Sequence, residues 1–466
     1  MRNRLGKGIL IIFATNIINM IFSLITNFVL PKYLSYETYA LIKTFQLYVS
    51  YVGLFHLGYS DGMYLHYGGK ELEQIDKDKL SQSLSTMRIF QFVVSLVVGV
   101  FSLFTRNWLL LIFAFDIFSY NLMGYFKNLF QAVGEFRRYA QITNIVTIFN
   151  FVLNVTLICV LKSDNPYLYV LCYTMVDMFA WMLLELKTCR SFKIELRFIK
   201  FSSKEFIWNI RDGILLLFGN LTSILITSID RWFTKILLTI TDFAQYSFAV
   251  SVENFLNIAI TPVTITLYNY LCKNPDDKEI RKLKNQITLF ATALVTAFFP
   301  VKFILEVYLH KYINAARVIA FLFASQMFYV VIKSIYVNLY KARMQQKRYF
   351  IEVLVVITMG FCFNVLLFTL SKVKESFAVG TLLSSIVWFI ICQIDFKDLR
   401  PNVRELFYQI VELVLFLTCA MFLKSLIGLI VYVIVTLGVS AVFMRDEFKI
   451  SLKLVIDLLR SLLKKV

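Results

Sequence analysis

Residues 1–32, MRNRLGKGILIIFATNIINMIFSLITNFVLPK, place three cations before a long apolar run and a Pro-Lys pair after it. The run from Gly8 to Leu30 has 23 residues, and a helix needs about 20 apolar residues to cross a bilayer. The basic start resembles the beginning of a signal peptide, but this run is long enough to span and no small-residue cleavage site follows it. The stretch predicts an uncleaved first transmembrane helix.

Apolar runs of this kind recur along the whole chain. Of the 466 residues, 59% are hydrophobic and only 17% are charged, and the mean hydropathy is +0.70. A soluble protein of this length could not bury so much apolar surface. The composition predicts an all-α polytopic membrane protein with about 14 transmembrane helices. The predicted spans are 8–30, 38–60, 84–104, 108–126, 140–161, 167–186, 213–230, 243–270, 287–308, 314–340, 349–371, 376–394, 406–423 and 426–444.

The Lys and Arg residues are distributed unevenly among the gaps between the apolar runs. The formal net charge is +18, and 35 of the 48 Lys and Arg fall in every second gap between apolar runs. Because cytoplasmic loops carry an excess of Lys and Arg, this alternation predicts an even number of spans with both termini in the cytoplasm. The net charge then reports topology rather than a nucleic-acid partner, and the basic loops are expected to contact membrane lipids.

One basic gap is longer than the others and divides the chain. Residues 187–212 mix Lys and Arg with Phe and Ile, which is typical of an amphipathic segment on the cytoplasmic surface. On either side, LSYETYA (34–40) and LTITDFA (238–244) each lead from one predicted helix into a long second helix. This similarity predicts a parallel pseudo-twofold repeat. The expected organisation is an N-terminal six-helix lobe (1–186), the linker (187–212), a second six-helix lobe (213–395), two additional helices (396–445) and a cytoplasmic amphipathic tail (446–466).

The sequence contains none of the common motifs that bind metals or nucleotides. The seven Cys form no CxxC pair, the three His lie far apart, and neither HExxH nor GxxxxGK[ST] occurs. Most of the Cys lie inside apolar runs, where they act as small buried hydrophobes. The sequence predicts no metal site and no cofactor.

Ionisable residues inside the apolar runs are the candidates for function, because a charge at membrane depth is costly. For each of them the alternative is a structural pair between helices, or a side chain that reaches the interface. Lys43 and Lys333, one in each half, lie too deep to reach it easily and suit a phosphate-bearing anion. The candidate substrate-binding residues are Lys43, Lys333, Arg231 and Lys235, and the candidate cavity or ion-coupling carboxylates are Asp61, Asp116, Asp177, Asp230 and Glu253.

Two short motifs carry a resemblance to a known family. GYSDG (58–62) is followed by GGK (68–70), and IDR (229–231) is followed by DFAQYS (242–247) and by Pro262. In these motifs and in layout the chain resembles the polysaccharide-biosynthesis flippases, the O-antigen and capsular repeat-unit transporters of the multidrug/oligosaccharidyl-lipid/polysaccharide exporter superfamily. Asp61, Asp230 and Arg231 stand within the matching motifs.

The resemblance implies two six-helix lobes around a basic cavity, and movement of a polyprenyl-pyrophosphate-linked oligosaccharide across the bacterial inner membrane by alternating access. A coupling proton or sodium ion and polysaccharide-assembly proteins are the further partners it implies, and the protein is expected to be a transporter rather than an enzyme. Many members have twelve helices, whereas the related peptidoglycan-precursor flippases have fourteen. The resemblance therefore leaves open to which branch of the superfamily the chain belongs.

Two other functions remain open on the sequence alone. A cation-coupled multidrug antiporter of the same superfamily would use the acidic residues Asp116, Asp177 and Glu253. A membrane glycosyltransferase or polysaccharide polymerase would need a large outside loop with catalytic carboxylates or Arg, and the longest predicted outside gap is only about 301–314.

Overall fold

The computed structural model describes residues 2–68, 70, 74–192, 201–273 and 276–453. Within these ranges the chain is helical and has no strand, which confirms the predicted all-α fold. The helices are α1 (Arg2–Tyr33), α2 (Tyr36–Ser50), α3 (Tyr59–Tyr67), α4 (Lys77–Phe104), α5 (Trp108–Ala132), α6 (Phe136–Val155), α7 (Pro166–Phe192), α8 (Ser203–Leu237), α9 (Ile240–Glu253), α10 (Leu256–Leu271), α11 (Asp277–Leu294), α12 (Phe298–Val307), α13 (Ala316–Val331), α14 (Val337–Ala342), α15 (Gln346–Ser371), α16 (Glu375–Asp395), α17 (Val403–Phe422) and α18 (Ser425–Phe443).

Many of these helices are long and apolar enough to cross a membrane, so the chain is a multi-pass membrane protein. Eleven spans qualify among the described residues, or up to twelve if α8, which bends by 50° between Thr222 and Ile224, is taken as one more. The predicted spans 8–30 and 38–60 correspond to α1 and to α2 with α3, which lie outside that count. The predicted total of about 14 stays a prediction. The last two predicted spans are separate helices, α17 and α18.

The chain forms two compact units, Met1–Ser228 and Ile229–Val466. The boundary falls inside α8, downstream of the predicted linker (187–212). Helix α7 continues to Phe192 and α8 begins at Ser203, so only the segment between them remains for a linker. Residues 193–200 of that linker, and residues 454–466 of the predicted amphipathic tail, lie outside the described residues. The lobe boundaries drawn from the sequence therefore stay predictions.

In the first unit, the second predicted span is a broken helix. After α2 the chain makes a 3₁₀ turn over Val52–His56, and Leu57 and Gly58 then adopt positive φ angles of 51° and 83°. Gly58 adopts this conformation without strain because it has no Cβ. Helix α3 begins directly afterwards at Tyr59.

Two polar side chains satisfy the backbone at this break. Gln91 of α4 donates its side-chain amide to the carbonyl oxygen of Phe55 at 3.2 Å. Asn121 of α5 donates to the carbonyl oxygen of Val52 at 3.2 Å and to the side-chain oxygen of Gln91 at 2.8 Å. Irregular backbone at membrane depth persists only where the protein supplies such hydrogen bonds. The broken helix is thus held by its neighbours α4 and α5.

Three glycines allow α3 and α8 to touch backbone to backbone. A Cβ on Gly62 would collide with the backbone of Asn209, and a Cβ on Gly213 would collide with Gly58 and Gly62. Gly58 and Gly62 form a GxxxG spacing, which lets membrane helices approach closely. Part of the motif that carries the family resemblance therefore serves helix packing in the first unit.

In the second unit, α13 is the central helix. It is almost wholly buried and packs against α9, α11, α16 and α17. A buried ion pair ties α17 to α11, because Lys284 Nζ lies 3.0 Å from Glu405 Oε2 and also donates to the carbonyl oxygen of Leu399 at 2.9 Å. These contacts fix α17, the first of the two additional helices, onto α11.

Candidate functional site

Four of the predicted site residues form one polar cluster in the second unit. Asp230 and Arg231 lie on α8, Glu253 ends α9, and Lys333 lies in the turn after α13. Glu253 interacts electrostatically with Lys333, Arg231 and Asp230. We call these four residues the α8–α13 charge cluster. It combines two cations and two carboxylates, taken from three different parts of the chain.

The two carboxylates are oriented by neutral donors. The Tyr246 hydroxyl donates to Asp230 Oδ2 at 2.6 Å, and the backbone N–H of Arg231 donates to Asp230 Oδ1 at 2.8 Å. The Gln326 side-chain amide donates to Glu253 Oε1 at 2.6 Å. Charge-assisted hydrogen bonds of this length are among the stronger ones in proteins. The acidic half of the cluster is therefore preorganised.

The cationic half is less fully bonded. The Nε atom of Arg231 is buried and has no hydrogen-bond partner among the described residues. Lys333 is half-buried, and its ammonium group lies 5.5 Å from the centre of the Tyr329 ring. A buried donor without an acceptor costs free energy. An anion that accepted from Arg231 would remove that cost, so the arrangement can bind a phosphate or carboxylate group.

Lys333 lies in a locally widened helix. Residues Ile332–Tyr336 form a π-helical turn between α13 and α14. The side chain of Asn338 donates to the carbonyl oxygen of Thr264 at 2.8 Å, and the hydroxyls of Thr264 and Ser334 lie 3.0 Å apart. These bonds tie the turn to α10. Single π-turns inside α-helices occur often at functional sites.

Lys235, the third predicted cation of this unit, lies one turn beyond Arg231. Its ammonium group lies over the Trp232 ring, 5.0 Å from the ring centre. This contact fits the interpretation of a cation that reaches towards the membrane interface.

The remaining predicted site residues lie in the first unit, beginning with Lys43 on α2. This lysine is buried, with 4% of its surface exposed. Its ammonium group donates to the side-chain oxygens of Asn27 and Gln46, both at 3.1 Å, and lies 5.2 Å from the centre of the Tyr39 ring. These contacts hold the ammonium group of Lys43 in place on α2.

Asp116 and Asp177 form a second polar group in the first unit. They lie on the packed helices α5 and α7, and Asp177 interacts electrostatically with both Asp116 and Lys127. Both carboxylate oxygens of Asp116 and one of Asp177 are buried without a hydrogen-bond partner among the described residues. Buried carboxylate oxygens without donors suit a bound proton or cation.

Asp61 lies on α3, within the glycine motif. Its side chain is half-buried, and its Oδ2 atom is buried without a hydrogen-bond partner in the described part of the chain. Gly69, in the second part of that motif, lies outside the described residues. The positions that the family resemblance singled out therefore belong to different units: Asp61 to the first, and Asp230 and Arg231 to the second.

Sequence reasoning missed several buried charges. Arg88 of α4 forms a buried ion pair with Glu185 of α7. Arg88 stands near the start of the predicted span 84–104, where a cation is expected to belong with the basic gap before the span rather than at membrane depth. Glu352 and Glu412 interrupt apolar runs in the same way as Glu253 does, so the same signal could have found them. Glu412 accepts a hydrogen bond from Thr436 of α18 at 2.8 Å.

Glu352 belongs to another network of this kind. The Tyr340 hydroxyl lies within hydrogen-bond distance of two carboxylates, Glu352 and, at 3.0 Å, Asp395, and shares its one hydrogen between them. Arg348 donates two parallel hydrogen bonds of 2.6 Å to Asp395. This bidentate pair joins the beginning of α15 to the end of α16, which is a structural role.

The fold is that of the transporters of the multidrug/oligosaccharidyl-lipid/polysaccharide exporter superfamily. A solved structure titled "Lipid II flippase MurJ, inward closed conformation" is similar with a TM-score of 0.66 and 15% sequence identity, over 94% of this chain and 99% of that chain. An inward-facing multidrug resistance MATE family transporter is similar with a TM-score of 0.56 and 13% identity, over 82% of this chain and 95% of that chain.

The sequence also matches a family model directly. Residues 5–275 match the family described as "Polysaccharide biosynthesis protein", and the chain belongs to that family. Among curated proteins none matches the sequence significantly. The family membership confirms the resemblance that was read from the short motifs.

Proposed function

We propose that this protein is a flippase that moves a polyprenyl-pyrophosphate-linked oligosaccharide across the bacterial inner membrane by alternating access, for surface polysaccharides such as O-antigen or capsule. The observation that carries the proposal is the α8–α13 charge cluster, in which the buried Nε of Arg231 has no acceptor among the described residues, and Arg231 and Lys333 both interact with Glu253. Membership of the polysaccharide-biosynthesis family supports it.

In this mechanism the pyrophosphate binds in the second unit at Lys333 and Arg231, with Lys235 as a further cation. Lys43 is the candidate cation for substrate binding in the first unit. In the empty protein, Glu253 and Asp230 balance the charge of the cluster. A pyrophosphate that enters adds negative charge, so it favours the uptake of a proton or sodium ion by the carboxylates. Substrate binding and cation binding are then linked, and no covalent bond is broken.

Proteoliposomes with a labelled lipid-linked oligosaccharide test the proposal. We expect the label to become accessible to an added glycosidase or oxidant only when the protein is present, and this transfer to fall at least tenfold in Lys333→Ala and Arg231→Ala. No transfer with a panel of such lipids, or unchanged transfer by both variants, would refute the proposal. Accessibility of tagged termini in whole cells tests the predicted cytoplasmic location of both ends.

A cation-coupled small-molecule antiporter is the second candidate, because both carboxylate oxygens of Asp116 and one of Asp177 are buried and accept no hydrogen bond within the described ranges. This function predicts efflux of organic cations such as ethidium from cells, driven by a proton or sodium gradient. It also predicts that Asp116→Asn abolishes efflux while Lys333→Ala leaves it intact. The flippase proposal predicts the opposite dependence on Lys333.

A further inference from the structure

The last helix of the described chain, α18, carries its polar residues on the side that faces the protein. Its buried residues are Ser425, Gly428, Tyr432, Thr436 and Ser440, so every one of them except the glycine carries a hydroxyl group. Small residues and hydroxyl groups are common where membrane helices pack together. Packing alone therefore explains this face, but it does not explain the carboxylate that the face contacts.

That carboxylate is Glu412, in the middle of α17. It is the tenth of the twenty residues in Val403–Phe422, and its exposed fraction is 0%. Thr436 donates to its Oε2 atom at 2.8 Å. Its Oε1 atom is buried and has no hydrogen-bond partner within the described ranges. An ionisable side chain buried at this depth is costly unless it is paired, so it is a candidate for function.

Hydroxyl groups of three helices lie around this carboxylate. The Tyr432 hydroxyl of α18 donates to the carbonyl oxygen of Thr292 on α11 at 3.0 Å. The Tyr408 hydroxyl of α17 lies 2.9 Å from the hydroxyl of Thr292 and 3.1 Å from that of Ser440. Both tyrosines interact electrostatically with Glu412. A hydroxyl oxygen that donates its hydrogen still has lone pairs for a cation.

A bound proton would leave this arrangement incomplete. With the hydrogen on Oε1 of Glu412, the acid would be a donor without an acceptor, and with the hydrogen on Oε2, Oε1 would remain an acceptor without a donor. A metal cation instead takes lone pairs from Oε1 and from neutral oxygens, which are the ligands that hard cations prefer. One carboxylate balances one positive charge, so a monovalent ion leaves no net charge at this depth.

We propose that Glu412 is the anionic ligand of a sodium site among α11, α17 and α18, with the hydroxyl oxygens of Tyr408 and Tyr432 as neutral ligands. Thr436 is a positioning residue, because its hydrogen bond to Oε2 orients Oε1. The site shares no residue with the α8–α13 charge cluster and goes beyond the proposed function.

Equilibrium binding of radioactive sodium to the purified full-length protein in detergent tests this site, with choline chloride keeping the ionic strength constant. Whatever the other carboxylates bind, we expect Glu412→Gln to lower the sodium bound at saturation by the equivalent of a single ion per protein. Asp446→Asn is the control, because Asp446 is an exposed carboxylate just beyond α18. The assay contains no lipid-linked oligosaccharide, so its outcome does not depend on the flippase proposal.

Thr436 provides a second arm, which decides the outcome if Glu412→Gln does not fold. Thr436→Val keeps the shape of the side chain and removes the hydroxyl. We expect it to weaken sodium binding by about tenfold, the lower end of the effect of losing a hydrogen-bond partner of a metal ligand. Thr436→Ser is expected to restore the affinity.

Three results would overturn the proposal. The first is equal sodium binding by Glu412→Gln and the original protein, and the second is an equal loss in Asp446→Asn. The third is an unchanged sodium affinity in Thr436→Val. If no sodium binds but the melting temperature depends on pH in the original protein and not in Glu412→Gln, the site holds a proton and the sodium assignment is wrong.

Discussion

Lys302 and Glu306 lie one turn apart on α12 and bind opposite sides of the hairpin between α17 and α18. Lys302 donates to the carbonyl oxygens of Ala420 at 2.8 Å and Leu423 at 2.6 Å, at the C-terminal end of α17. Glu306 accepts from the backbone N–H of Ser425 at 3.3 Å and from its hydroxyl at 2.5 Å, at the N-terminal end of α18. Each charge therefore faces the helix end of opposite partial charge.

The first prediction concerns this pair. Lys302→Met removes the donor to two carbonyl groups, and we expect it to lower the free energy of unfolding by about 1.5–3 kcal/mol, the range for hydrogen bonds to a charged group. A thermal melt of the purified protein in detergent measures the change as a lower melting temperature. Lys424→Met is the control, because it removes an exposed cation from the same hairpin. A loss of equal size in Lys424→Met would show that only net charge matters.

The second prediction concerns the contact between α3 and α8. Gly213→Ala places a methyl group against the backbone of Gly58 and Gly62, so the helices must separate. We expect a cost of about 3 kcal/mol, the upper part of the range for overpacking. The measurement is the yield and melting temperature of a fluorescent fusion protein.

Gly219→Ala is the matched control for this contact. Gly219 lies on the same helix, and a Cβ there would meet no atom within 4 Å. We expect Gly219→Ala to be as stable as the original protein or slightly more stable, because Ala has the higher helix propensity. A Gly213→Ala protein with an unchanged melting temperature would contradict the close contact.

The sequence predicts the helical class and the depth of individual charges better than it predicts their partners. Apolar run length separated α17 from α18, although only Lys424 and Ser425 stand between the two predicted spans. The reason is physical: one helix of both runs would be far longer than a bilayer is thick. Run length does not show how a helix is rotated, so it cannot tell which side chains face each other.

The α8–α13 charge cluster illustrates this limit. Glu253 accepts its hydrogen bond from Gln326, which lies 73 positions further along the chain. Gln326 is uncharged, so the criterion of an ionisable residue inside an apolar run does not identify it. The break after α2 was equally hidden, because the side chains of Gln91 and Asn121 that satisfy it come from two other helices. Such pairings depend on tertiary packing, which a single sequence does not specify.

The third prediction separates a structural role of Lys333 from a substrate-binding role. Lys333→Met removes one of the two cations that interact with Glu253 and leaves Arg231, so we expect a loss of stability of about 3 kcal/mol, the lower end of the range for broken buried pairs. Adding Glu253→Gln removes the uncompensated charge, so the double variant is expected to recover most of the melting temperature. Transport of a lipid-linked oligosaccharide should stay lost in the double variant. If transport returned together with stability, Lys333 would be a structural residue only.

The fourth prediction concerns Asp116, whose two buried oxygens accept no hydrogen bond from the described residues. A carboxylate in that position is costly for the fold, so we expect Asp116→Asn to keep or raise the melting temperature. The same change removes a site for a proton or sodium ion, and transport by the variant should no longer respond to an imposed pH or sodium gradient. Proteoliposomes with and without each gradient provide the measurement. Ser119→Ala, one turn away on α5, is the control that should keep the response. A variant that is strongly destabilised, or one that still responds to both gradients, would assign Asp116 to packing between α5 and α7 instead.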